Sequence, residues 1–67
     1  MVVFRIPNMR CGGCARSVTS ALRGVDPVAE VRVDLGLREV TVQGAADAEV
    51  LSRALREAGF ESERLAA

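Results

Sequence analysis

An α+β fold in the order βαββαβ is predicted for this 67-residue chain. Three features predict it. Segments near the start and middle alternate apolar and polar residues, two others repeat apolar residues at helical spacing, and glycines and prolines punctuate the boundaries. Two βαβ halves of this order build a four-stranded antiparallel sheet with both helices on one face. Right-handed crossovers make that the ferredoxin-like arrangement.

Val2, Phe4 and Ile6 alternate with Val3 and Arg5 in a first strand, which Pro7-Asn8 stops. The stretch Met9-Arg10-Cys11-Gly12-Gly13-Cys14 reads as a loop whose two glycines permit positive φ. Cys14, Val18, Ala21 and Leu22 then form a helical stripe, with Gly24 expected as its C-cap and Pro27 as the break. Ala29, Val31, Val33 and Leu35 alternate with charged residues in a second strand, and Val40 and Val42 alternate in a third. Leu35-Gly36-Leu37 is the expected hairpin connection. Asp47 is placed to cap a second helix with the stripe Val50, Leu51, Ala54, Leu55 and Ala58, ended by Gly59. Phe60 to Leu65 is the final short strand, mostly polar in pattern.

The length allows one domain, expected to span residues 1–67. Met1 lies just before the first strand and Ala67 just after the last, the expectation for a complete small protein. A chain this small buries only roughly 60% of its unfolded surface, leaving room for one aliphatic core and no large substrate cleft. Phe4 and Phe60 are its only aromatics, and it has no histidine.

The formal charge is zero but divided. Up to Val25 the charged side chains are Arg5, Arg10, Arg16 and Arg23; from Asp26 onward five arginines face nine carboxylates. Such asymmetry steers a partner over distance. Basic residues this few, with no aromatics among them, argue against nucleic-acid binding. No segment is long and apolar enough to insert in a membrane, and the start lacks the basic region of a signal peptide, so the expected compartment is the cytoplasm, where thiols stay reduced.

The chemistry concentrates at Cys11 and Cys14. A C-x-x-C pair can serve thiol–disulfide exchange, half a zinc site, or a two-thiolate metal site. Structural zinc wants four ligands, and this chain offers two cysteines and no histidine. Arg10, beside Cys11, repels a dication. Cu(I) prefers soft sulfur and is stable with two such ligands, and Hg(II) accepts two thiolates as well. Cys14 falls in the first helical turn, where free N–H groups and the helix dipole favour a thiolate; this suits metal capture and redox chemistry equally. Met9 reads as core packing.

Asn8-Met9-Arg10-Cys11-Gly12-Gly13-Cys14 resembles the G-M-x-C-x-x-C signature of heavy-metal-associated domains. These include bacterial copper chaperones, N-terminal domains of metal-transporting P-type ATPases, and mercury-binding proteins. Gly24-Val25 with Val31 to Leu35, and Ala54 to Phe60, extend the resemblance over essentially the whole chain. The resemblance implies that Cys11 and Cys14 are the metal ligands. It implies that Met9 points inward to support the loop together with Gly12 and Gly13, and that Phe60 lies near the metal, where bacterial relatives usually carry Tyr. Three positions depart from the pattern. Asn8 replaces a Gly, as a residue that tolerates left-handed backbone. Arg10 replaces Thr, Ser or His, and zinc- and cadmium-handling relatives often carry Asp there. Phe60 lacks a hydroxyl.

The function expected from these readings is non-enzymatic. The chain is a soluble copper metallochaperone that carries one ion, Cu(I) before Hg(II) or another thiophilic ion, and hands it to a metal-transporting P-type ATPase or its metal-binding domain by thiolate exchange. Arg10 and Arg16 are the candidates for docking that partner. Two ligands also leave room for two copies to form a metal-bridged homodimer. The alternatives are an excised domain of a transporting ATPase or a mercury-binding protein and, from another class, a thiol–disulfide oxidoreductase. Against the last, no Trp precedes Cys11 and the strand order is not thioredoxin-like.

Overall fold

The computed structural model describes residues 1–66; Ala67, and with it the end of the expected domain span, lies outside the described residues. The elements are β1 (Val2–Arg5), α1 (Gly12–Val25), β2 (Glu30–Asp34), β3 (Glu39–Gln43), α2 (Ala48–Glu57) and β4 (Glu63–Ala66). They form one four-stranded antiparallel sheet in the order β2-β3-β1-β4, so β2 and β4 are the edges. Both helices cover one face, the ferredoxin-like sandwich expected from the element order.

Strand register explains the core. Phe4 pairs with Val40, which pairs with Val33, and Val2 pairs with Val42, which pairs with Val31. Alternation puts these residues on one face, where they meet Val18 and Leu22 of α1 and Leu51 and Leu55 of α2. The other face carries Arg5, Glu39 and Glu63, joined by exposed ion pairs that contribute little to stability. β4 is exposed throughout, so it completes the sheet by pairing rather than by burial.

Several boundaries differ from the sequence reading. Helix α1 runs through Gly24, which keeps φ outside the left-handed region. Its cap is Asp26, whose N–H donates to the Leu22 carbonyl at 3.0 Å. Asp26 is only 8% exposed, and its Oδ2 accepts the Ala45 N–H at 2.9 Å, binding the end of α1 to the start of the β3–α2 loop. That long-range bond fixes the cap. At the β2–β3 turn the left-handed residue is Arg38 (φ 57°), not Gly36, and the Leu37 N–H donates to Asp34 Oδ1 at 3.0 Å. Asp47 stands at the N-cap of α2 without a side-chain capping bond. Val50 and Ala58 of the expected stripe are exposed.

The end of α2 follows its sequence closely. Gly59 takes φ 94°, its N–H donates to the Arg56 carbonyl at 3.0 Å, and the Phe60 N–H donates to the Leu55 carbonyl at 2.9 Å. This pair of bonds is the Schellman motif, and Phe60 packs in the same core cluster as Leu55. Strand β4 accordingly begins at Glu63, and Phe60 belongs to the turn before it.

Candidate metal centre

Two short segments converge at one end of the sheet. The pairing of Arg5 with Glu39 brings the β2–β3 turn beside the exit of β1. There the Ile6 N–H donates to the Arg38 carbonyl at 2.7 Å, and Arg38 Nη1 donates to the Pro7 carbonyl at 3.3 Å. Ile6-Pro7-Asn8-Met9 then makes a tight turn closed by the Met9 N–H on the Ile6 carbonyl at 3.0 Å. Proline suits the second position of such a turn. Asn8 does not use left-handed backbone; its amide Nδ2 donates to the Gly59 carbonyl at 3.3 Å and ties the loop to the α2–β4 turn. Met9 is fully buried in the core cluster.

Past this anchored stem the chain reaches the cysteines. Cys11 is the N-cap of α1, with extended backbone (φ −144°, ψ 171°) and its carbonyl accepting the Ala15 N–H at 3.0 Å. Its sulfur accepts the Cys14 N–H at 3.4 Å, in the place where Ser or Asp oxygen usually caps a helix. Gly12 and Gly13 are the first helical residues, and neither adopts positive φ. What they provide is space: a Cβ on Gly13 would sit 3.8 Å from the Cys11 sulfur.

The two sulfurs lie 3.4 Å apart and both cysteines are free, Cys11 exposed and Cys14 half-buried against the core. The Cys11 thiol is held below its ordinary pKa. The Cys14 N–H contributes most, followed by the Cys14 thiol, the Gly13 N–H and the Arg16 guanidinium, while slight desolvation opposes them. The capping position favouring a thiolate thus belongs to Cys11, one turn before the placement expected for Cys14, because α1 already begins at Gly12.

Arg16 reaches back toward this helix end, its Nη1 lying 4.0 Å from where a Cβ on Gly12 would be. Arg10 is exposed in the loop. Phe60 follows Gly59 in the turn to which Asn8 is tied, and its side chain is buried in the core cluster. Sequence reasoning missed the Arg38 tie to Pro7. No local signal announces it, because the two residues are 31 positions apart. Among the described residues no three His, Cys, Asp or Glu side chains cluster as a metal site. The centre therefore presents two soft sulfur donors at an exposed helix end.

The model of the heavy-metal-associated domain matches residues 3–61, which takes in the whole of this arrangement. The chain belongs to the heavy-metal-associated domain family. It is 38% identical over 61 residues to Copper-transporting ATPase 2 of Rhizobium meliloti (strain 1021); the match covers 87% of this chain but only 7% of that relative's length. Among solved structures it is similar to the copper chaperone Atx1 from Synechocystis PCC6803 in a trimeric copper form, with TM-score 0.91 and 36% identity, covering 94% of this chain and 100% of that one. It is also similar to the N-terminal domain of ZntA in its Zn(II) form, with TM-score 0.85 and 27% identity, covering 98% of this chain and 92% of that one. This heavy-metal-associated domain is thus related both to copper chaperones and to the metal-binding domains of transporting ATPases. Among the described residues no helix is long and apolar enough to cross a membrane.

Proposed function

We propose that this domain carries one Cu(I) ion on Cys11 and Cys14 and delivers it, in the cytoplasm, to the metal-binding domain of a copper-transporting P-type ATPase. The observation that carries the reading is the pair of free sulfurs 3.4 Å apart at the exposed start of α1, with no cluster of three candidate ligands among the described residues. Two thiolates satisfy a soft monovalent ion and leave zinc short of its usual four ligands. They also leave coordination space for transfer. An incoming partner thiolate adds to the ion, a three-coordinate bridge forms, and one original thiolate departs. Met9 supports the loop from the core without ligating the ion, Gly12 and Gly13 keep the sulfurs accessible, and Phe60 shields the site from below. Arg10 and Arg16 offset the negative charge of the bis-thiolate ion and meet an acidic partner surface.

Native mass spectrometry of anaerobically purified protein from metal-replete cells tests the cargo, with one copper per chain expected. X-ray absorption should then show sulfur as the main ligand; mainly nitrogen or oxygen ligation would refute the reading. When metal is limiting, two copies sharing copper through four thiolates are expected by sedimentation.

A second reading, thiol–disulfide exchange, is favoured by one observation, the lowered pKa of the N-terminal cysteine of the pair. Insulin reduction measured beside Cu(I) competition separates the two. Turnover of insulin without tight Cu(I) binding would select the redox role.

A further inference from the structure

A shallow groove of about 810 Å³ runs along the flank of the sandwich between α1 and the edge strand β2. Its floor is made by Val31 and Val33, the core-facing residues of β2, which remain half-buried because, among the described residues, no further strand lies beside them. Its wall is one stripe of α1, where Thr19, Ser20 and Gly24 keep the helix surface low. Arg16 and Arg23 stand along the same wall, seven residues apart. Among the described residues no carboxylate lines it, because the acidic residues of β2 alternate onto the opposite face of the sheet.

We propose that this groove docks an extended acidic segment of a partner protein, which adds to β2 as a fifth strand. The exposed edge supplies unpaired backbone groups for strand addition. Seven helical residues separate Arg16 from Arg23 by about 10 Å along the axis. Carboxylates four residues apart on a strand are about 13 Å apart and share one face, within reach of both flexible arginine side chains. The residue midway between them also faces the groove, and an apolar side chain there covers Val31 and Val33. Arg16 adjoins the metal end of α1, so a segment held here lies next to the cysteines. This extends the proposed transfer role to how a partner is held. Its test needs no metal, so a failure here and a failure of copper binding are separate results.

The probe is a short blocked peptide, Glu-Thr-Val-Thr-Glu, titrated into the isotope-labelled, metal-free chain and followed by amide shifts. Saturable shifts are expected at Thr19, Ser20, Val31 and Val33. Replacing both glutamates of the peptide by Lys should weaken binding by about tenfold or more, and so should the double variant Arg16→Gln, Arg23→Gln. A Cβ on Gly24 meets nothing within 4 Å, so Gly24→Leu should keep the fold, fill the groove and block the peptide. N-methylation of the peptide's central amides should abolish binding if a strand is added. Absence of shifts at these residues, equal binding of the Lys peptide, full binding of the N-methylated peptide, or shifts confined to the open sheet face would each overturn the proposal.

Discussion

The two ends of α1 are capped by opposite means. At its start an exposed sulfur accepts one N–H at 3.4 Å, glycines leave the surroundings open, and a second free thiol stands beside the cap. At its end the Asp26 N–H donates to the Leu22 carbonyl at 3.0 Å, the buried Asp26 carboxylate locks that cap by accepting the Ala45 N–H at 2.9 Å, and a Cβ on Gly44 would collide with the same carboxylate and press on Ala29. Weak capping at the start leaves the sulfurs free to take another partner. Tight capping at the end fixes the helix on the sheet, so the start can stay open without loosening the fold. On this arrangement the fold and the candidate cysteine site are expected to be separable, with buried Met9 next to the site in the chain.

The sharpest test of that separation is Cys11→Ser or Cys14→Ser. Either should lower Cu(I) affinity by more than the ~10–100-fold typical of outer-shell changes, with the thermal midpoint hardly moved. A large loss of stability would break the comparison.

Met9 should divide by size. Met9→Ala empties a fully buried site and should cost about 2–5 kcal/mol in denaturant unfolding. Met9→Leu should cost less than about 1.5 kcal/mol and still bind copper; loss of copper from a well-folded Met9→Leu protein would make the thioether a ligand.

At the far end, Gly44→Ala forces Asp26 and Ala29 to move and should cost about 1–3 kcal/mol, measured in urea. Copper affinity should stay unchanged in the folded fraction. If affinity falls as well, the two ends are coupled.

A smaller effect belongs to Arg38. Its left-handed backbone is costly for Ala as for Arg, so Arg38→Gly should be more stable than Arg38→Ala by about 1 kcal/mol. Both variants lose the bond to the Pro7 carbonyl, and amide exchange in the Pro7–Met9 turn should quicken in each.

The smallest effect is the pH dependence of Cys11 alkylation. In apo protein Cys11 should alkylate faster than Cys14 near neutral pH and keep reacting below the ordinary thiol range. A depressed folded-state pKa adds stability that is fully present above the unfolded thiol pKa and fades as pH falls through the lowered value. Mass-spectrometric mapping of a pH series of alkylations checks the order; equal rates would show that the cap does not distinguish the sulfurs.

What was legible in the sequence was local. Alternation in Val2 to Ile6 and Val40 to Val42 marks strands because side chains on a strand change face at each residue. Gly59 marks a helix end because the backbone there takes φ 94°. The cysteine spacing and its family resemblance point to the metal loop, and the element order points to the sandwich. Local rules gave way where a distant residue or a competing cap intervened. Gly24 reads as a cap, yet the cap is Asp26, held by Ala45 across 19 positions. Gly12-Gly13 reads as a flexible loop, yet Cys11 already caps the helix in front of it.

The chain by itself determined the elements and brought two thiols together across two glycines, because propensity and capping act over one or two turns. The tertiary structure alone decided that Gly59 and Arg38 brace the loop, through Asn8 and Pro7, from turns 51 and 31 positions away, and that β2 is an edge with an open flank. Those depend on strand order and register, which close long loops and leave no periodic trace in any one segment.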